Sequence, residues 1–174
     1  LRDVQKMVYV HTPDFEGGLE SGWARAIEAI IEQLVEEKKS INPIKAILIP
    51  NVNLTPLETE KLKEQIELFG FDEVFALPDL SESLDGHLGV KQGALSSGGI
   101  SIDEIKDLAD AKVVISIGQS VKKAGEKLKE KNDLMQHLHF DSVGGLIQSD
   151  QFYKALLEVQ SLKTPHQRIQ RWRK

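Results

Sequence analysis

The 174-residue chain contains no cysteine, which excludes disulfides, thiolate zinc sites, thiolate-ligated iron–sulfur clusters and cysteine nucleophiles from its own residues. Aromatic residues are scarce, at 6%, with two tryptophans. No apolar stretch approaches the roughly 18 residues of a membrane-crossing helix, and no basic-then-apolar leader opens the chain. The expectation is a cytoplasmic protein with no membrane partner. Neither G-x-G-x-x-G nor G-x-x-x-x-G-K-[ST] occurs, there is no H-E-x-x-H helix, and no serine sits in a nucleophile elbow. No catalytic residue is therefore assigned.

What is present fits a globular domain: 40% hydrophobic and 28% charged residues, in a length that can bury one good core. The net charge of −5 is uneven, because Lys163, Arg168, Arg171, Arg173 and Lys174 all lie in the last twelve residues. The remaining acidic body disfavours nucleic acid, and the basic run reads as a solvated helix face.

Short β-branched runs at Met7–His11, Ala46–Ile49, Val74–Leu77 and Val113–Ile117 read as buried strands, with Leu138–Phe140 a candidate fifth. Amphipathic helices alternate with them. Trp23, Ile27, Ile30 and Leu34 form one stripe in a helix over Leu19–Glu37. Thr55-Pro56-Leu57-Glu58 supplies an N-cap, a first-turn proline and a capping-box glutamate, and Gly70 is the matching stop. Ser101-Ile102-Asp103-Glu104 is a second capping box. Further helices follow Gly118-Gln119-Ser120, span Ser149–Gln160, and begin at Pro165. Such alternation implies parallel strands with right-handed crossovers: an α/β/α sandwich, three-layered, on a mainly parallel sheet of four to five strands.

The carboxyl ends of those strands carry the polar and glycine-rich loops, where ligands and partners meet open α/β sheets. Three loops are expected to converge there: Thr12–Gly18, with Asp14, Gly17 and Gly18; Asp79–His87, with Asp79, Asp85, Gly86 and His87; and Gly118–Ser120, with Gln119 and Ser120. Gly98 and Gly99, before the Ser101 cap, belong with them. Each also reads as an ordinary turn, in which glycine permits close backbone approach. His137 and His139 alternate as H-x-H, which in a strand puts both rings on one face. Two histidines without a third donor do not define a metal site.

Four segments carry a resemblance: TPDFEGGLESGW at Thr12–Trp23, LPDLSESLDGHL at Leu77–Leu88, LSSGGISIDEI at Leu95–Ile105, and DQFYKALLEVQSLKTPHQRIQRWRK from Asp150 to the end. Together they resemble the nitrogenase component 1 family. The LPDLS-x-SLDGHL pattern is closer to its β-type scaffold subunits, on which the iron-molybdenum cofactor is built, than to its catalytic β subunits. The resemblance covers nearly the whole chain and implies Rossmann-like domains whose edges face other domains and a partner subunit. It further implies an α-type scaffold partner in a heterotetramer, the nitrogenase iron protein as a second partner, and an iron–sulfur precursor of the cofactor held by the assembled complex. Family relatives hold clusters largely by cysteines outside the matched stretch, so this chain is expected to bind no cofactor or metal and to have no independent activity. Residues 1–162 are read as a single α/β domain, the central piece of a longer subunit. Residues 163–174 are read as the start of a truncated helix leading toward another domain. Two other readings stand open: the catalytic nitrogenase β subunit or a related reductase component, and a free-standing, flavodoxin-like domain for a small ligand.

Overall fold

The computed structural model describes residues 7–13, 16–80 and 99–172. Its helices and strands follow in the order α1 (Leu19–Leu34), β1 (Asn42–Pro50), α2 (Pro56–Glu67), β2 (Glu73–Ala76), α3 (Ile102–Lys106), β3 (Ala111–Ile117), α4 (Lys122–Glu130), β4 (Gln136–Phe140), α5 (Leu146–Val159) and α6 (Gln167–Trp172). Single 3₁₀ turns at Leu108–Asp110 and Gln119–Val121 lead into β3 and α4.

All strand pairs among the described residues are parallel, in the order β2-β1-β3-β4. Ile47 faces Val114 and Leu48 faces Ile115 in register, so successive residues alternate between two buried faces. Ile47, Ile49 and Val114 pack with Ile27 and Ile31 of α1 and with Ala124 and Leu128 of α4. Ala46, Leu48, Val113 and Ile115 pack on the other side with Leu62 and Ile66 of α2, Phe152 and Leu156 of α5, and Ile169 of α6. This is the expected three-layer sandwich.

The helix starts follow from local chemistry. Thr55 Oγ1 accepts the Glu58 amide while the Glu58 carboxylate accepts the Thr55 amide, and Ser101 and Glu104 repeat the arrangement. Each box satisfies amides that a helix start otherwise leaves unpaired. Helix α1 stops at Leu34, earlier than expected, because Val35 turns to an extended conformation while its amide still reaches the Ile31 carbonyl.

Two strand expectations change. Met7–His11 joins no sheet: it lies along α1, where the Tyr9 amide donates to Gln33 Oε1 and Gln33 Nε2 donates to the Tyr9 carbonyl. Met7 and Tyr9 remain 76% exposed, so the apolar run buries too little surface to act as a strand. The fourth strand is instead β4, longer than the expected Leu138–Phe140.

At the amino edge of the sheet, Lys45 is 5% exposed. Its ammonium pairs with Asp110 Oδ1 at 2.6 Å, donates to the Asp107 carbonyl at 2.9 Å and lies 5.3 Å from the Phe75 ring centroid. Buried Asn132 donates to the carbonyls of Ser40 and Ala109, while its Oδ1 accepts the Leu134 amide. Backbone bonds from Glu36 to Lys106 and from Lys38 to Lys131 join the same loops.

Candidate functional site

Because the strands are parallel, all four carboxyl ends share one edge, and the segments after β2, β1, β3 and β4 form a row in that order. Asp79, Asn51, Gly118 and Asp141 mark its positions. In the chain β1 leads outward to β2, whereas β3 leads the other way to β4. The crevice expected of an open α/β sheet therefore falls between β1 and β3.

That crevice is filled. Gly118 has φ +104°, and a Cβ built there would lie 2.3 Å from Asn51 Nδ2 and 2.7 Å from Asn51 Cβ. Asn51 Oδ1 accepts the amides of Asn53 at 2.9 Å and Leu54 at 3.2 Å, its own amide donates to Ile117, and the Gly118 amide donates to Phe140. One asparagine thus knits the β1 and β3 loops together where a ligand would enter.

Two open grooves flank this plug. One, about 490 Å³, runs between the start of α2 and the start of α5, lined by Leu54, Leu57, Phe152 and Tyr153 with Asp141 and Ser142 at its rim. The other, about 630 Å³, lies between α1 and the start of α4, with Gly18, Val52, Asn53 and Ser120 among its lining residues. Its charges are largely paired within the fold: Asn53 Nδ2 donates to Glu20, Arg25 meets Glu16, and Lys123 and Lys127 both approach Glu28. Lys127 also pairs with Glu32, whose carboxyl is held below its usual range first by that hydrogen bond.

Of the residues singled out in the sequence, Gly17, Gly18, Asp79, Gly99, Gln119 and Ser120 are described; Asp14, Asp85, Gly86, His87 and Gly98 lie outside the described residues. Gly18 and Ser120 line the same groove without touching: nothing lies within 4 Å of a Cβ built at Gly18. Asp79 and Gly99 do meet, with the Asp79 carbonyl 3.6 Å from where a Gly99 Cβ would stand. The Asp79 carboxylate is anchored by Lys63 of α2 at 3.0 Å, and Glu60 shares that ammonium at 2.8 Å. Burial pulls the Lys63 pKa down, but the two carboxylates outweigh it and the net shift is upward. Gln119 Oε1 lies 3.1 Å from His139 Nε2.

The two histidines do share a face. Ser116 Oγ lies 2.8 Å from His137 Nε2 and 3.0 Å from His139 Nδ1, and His139 Nε2 lies 3.1 Å from Asp141 Oδ1. Sequence reasoning missed Ser116, Asn51 and Asp141. For Ser116 a signal existed: it is the sole polar residue in the run VVISI, and it sits in register with His139. Among the described residues no three or more His, Asp or Glu side chains gather as a metal would require, and no helix is long and apolar enough to cross a membrane.

The family model described as nitrogenase component 1 type oxidoreductase matches residues 2–174. The chain is 34% identical over 162 residues to the nitrogenase iron-molybdenum cofactor biosynthesis protein NifN of Bradyrhizobium diazoefficiens, covering 91% of this chain and 34% of that protein. It is 34% identical over 163 residues to the protein of the same name from Rhodobacter capsulatus, with the same coverage of each, 91% and 34%. Against that from Nostoc sp. it is 28% identical over 159 residues, covering 91% and 35%. A solved structure titled "Nitrogenase Cp1 at pH 6.5" superposes with a TM-score of 0.81 at 23% identity, over 91% of this chain and 34% of that one; it shares the fold. The chain spans about a third of the length of the curated relatives it matches.

Proposed function

Because the chain belongs to the family of nitrogenase component 1 type oxidoreductases, we propose that it forms the central α/β domain of a β-type scaffold subunit on which the nitrogenase iron-molybdenum cofactor is assembled. One observation carries this reading: across 91% of the chain, its relatives from Bradyrhizobium and Rhodobacter bear the name of a cofactor biosynthesis protein. The catalytic β subunit is the less favoured reading on the same ground. A free-standing small-ligand domain is disfavoured by Asn51, which occupies the β1–β3 crevice against Gly118.

In this reading the iron–sulfur precursor is cargo of the assembled complex, and this chain contributes shape instead of ligands. It has no cysteine, and the ring nitrogens of His137 and His139 that face the β3 strand are engaged by Ser116. The loops at the carboxyl edge, with Gly17, Gly18, Asp79, Gly99, Gln119 and Ser120, would face neighbouring domains and the α-type scaffold subunit in a cytoplasmic heterotetramer. The nitrogenase iron protein would be the second partner. Residues 1–162 would form the domain and 163–174 the start of a helix leading onward; a buried Ile169 beside a 55% exposed Trp172 suits such a helix.

The test uses the complete subunit carrying this segment, produced with its α-type partner and loaded with the iron–sulfur precursor. With molybdate, homocitrate and the iron protein, the complex should activate cofactor-free nitrogenase while reducing no substrate itself. Substrate reduction by the complex, without transfer to the cofactor-free enzyme, would overturn the scaffold reading in favour of the catalytic one.

A further inference from the structure

Ser116 is fully buried on the α1 and α4 face of the sheet, in a row otherwise held by Ile47, Ile49 and Val114. A hydroxyl buried there needs hydrogen-bond partners. Its partners are His137 Nε2 and His139 Nδ1. At the far end of the row, His139 Nε2 meets Asp141 Oδ1 and Gln119 Oε1, each at 3.1 Å.

The direction of every bond follows. A carboxylate only accepts, so His139 Nε2 must carry hydrogen. In neutral His139, Nδ1 is then a lone pair and accepts the Ser116 hydroxyl. Ser116 Oγ, having donated its single hydrogen, accepts from His137, so His137 must be the Nε2–H tautomer. One sequence of donors thus runs His137 to Ser116 to His139 to Asp141.

Adding a proton to His139 reverses the inner half. Nδ1–H now donates to Ser116, and the hydroxyl has to turn toward His137 Nε2. Unless it does, a buried O–H is left unpaired, at a cost of about 1–3 kcal/mol. His137 accepts only by moving its own hydrogen to Nδ1.

We propose that Ser116, His137 and His139 form a proton-responsive relay, in which protonation of His139 at the carboxyl edge is read out as a tautomer change of His137 beneath helix α4. The relay touches α4 directly: a Cβ at Gly125 would stand 2.3 Å from His137 Nε2 and 2.9 Å from Cε1, so the helix backbone rests on the ring that switches. Among the described residues, Lys122 and Glu126 of α4 and His139 of the same strand act on the His137 ring. His137 is held below the ordinary imidazole range by burial first, then by His139 and Lys122, with Glu126 opposing. His137 therefore resists a charge of its own, whereas His139 Nε2 lies 3.1 Å from a carboxylate oxygen of the exposed Asp141, a geometry that suits a ring carrying a proton there.

Long-range proton–nitrogen NMR of the 174-residue chain separates ring nitrogens that carry hydrogen from those that carry a lone pair. At high pH, His137 should show hydrogen on Nε2 and His139 a lone pair on Nδ1. As pH falls through the His139 titration, the His137 hydrogen should move to Nδ1 with the same midpoint and without His137 becoming doubly protonated. In Ser116→Ala, His139 should still titrate while the His137 tautomer no longer follows it. A His137 tautomer constant across the His139 midpoint, a separate charging step at His137, or coupling that persists in Ser116→Ala would each overturn the relay. The unsubstituted chain decides the first two outcomes even if the variant does not fold.

Discussion

Gly118→Ala is the most informative single change in this fold. At φ +104° and ψ 139° the backbone occupies a region that side chains rarely enter, at a cost of about 1–3 kcal/mol. The added methyl would also stand 2.3 Å from Asn51 Nδ2 and 2.9 Å from Asn51 Cγ. Rotating the carboxamide away does not relieve it, because Asn51 Cβ itself is 2.7 Å distant. Overpacking of this kind costs a further 1–3 kcal/mol or about that, so the total is about 4 kcal/mol. In urea, with a slope near the upper end of about 1–3 kcal/mol per molar, the unfolding midpoint should fall by roughly 1.5 M. Circular dichroism of the isolated chain reads it. Placing Gly118→Ala in an Asn51→Gly background removes the collision and should leave only the backbone share, about 1–3 kcal/mol. A midpoint loss under about 0.5 M for Gly118→Ala, or equal losses in both backgrounds, would refute the claim that Asn51 plugs the crevice against this glycine.

Thr55→Ala and Ser101→Ala should each cost about 1 kcal/mol in thermal or urea unfolding by removing an N-cap. The capping carboxylates add a pH signature: Glu58 is held below the usual range first by the Thr55 amide and then its hydroxyl, Glu104 first by the Ser101 hydroxyl and then its amide. A depressed folded-state pKa stabilises above the unfolded value, about 4.3 for glutamate, and that stabilisation is lost as pH falls through the lower folded value. Glu104→Gln should therefore flatten the decline of stability below about pH 4.3; an unchanged slope would contradict the assignment. Lys45→Ala, which leaves Asp110 without its cation, should lower stability by about 3 kcal/mol, at the low end for a buried pair because Asp110 is 29% exposed and water can reach it. Gly125→Ala gains about 1 kcal/mol of helix propensity but drives the His137 ring off Ser116, for a net loss of about 1 kcal/mol in thermal unfolding; a net gain would show that the ring yields freely.

Helix α2 was legible because Thr55, Pro56 and Glu58 encode its start in four residues, and β3 because its apolar run has no competing period. Met7–His11 carried the same β-branched composition and misled, since strand formation needs a neighbouring ladder and Gln33 instead supplies its hydrogen bonds. Strand bounds moved outward at β1, where Asn42 and Pro50 pair with β3 despite the neighbouring prolines. The edge loops could be named from their place after strands, but their contents could not be ranked. Nothing local to Asn51 reveals that it lies under Gly118, 67 positions on in the chain. H-x-H spacing put His137 and His139 on one side; the hydroxyl that joins them comes from the adjacent strand, and pairing register is invisible in a single sequence.

Asn132 sets the terms on which the opposite rim comes apart. Its one carboxamide is shared by the turns ahead of β1, β3 and β4, so loosening any of them breaks a hydrogen bond at the residue that the others share. Amide exchange there should accordingly proceed as a single event with a common rate, whereas the rim bearing the grooves, tied piecewise by Asn51, Lys63 and Ser116, should open one segment at a time. A partner pressing on the grooved rim would thus deform it locally while the far end keeps the sheet in register.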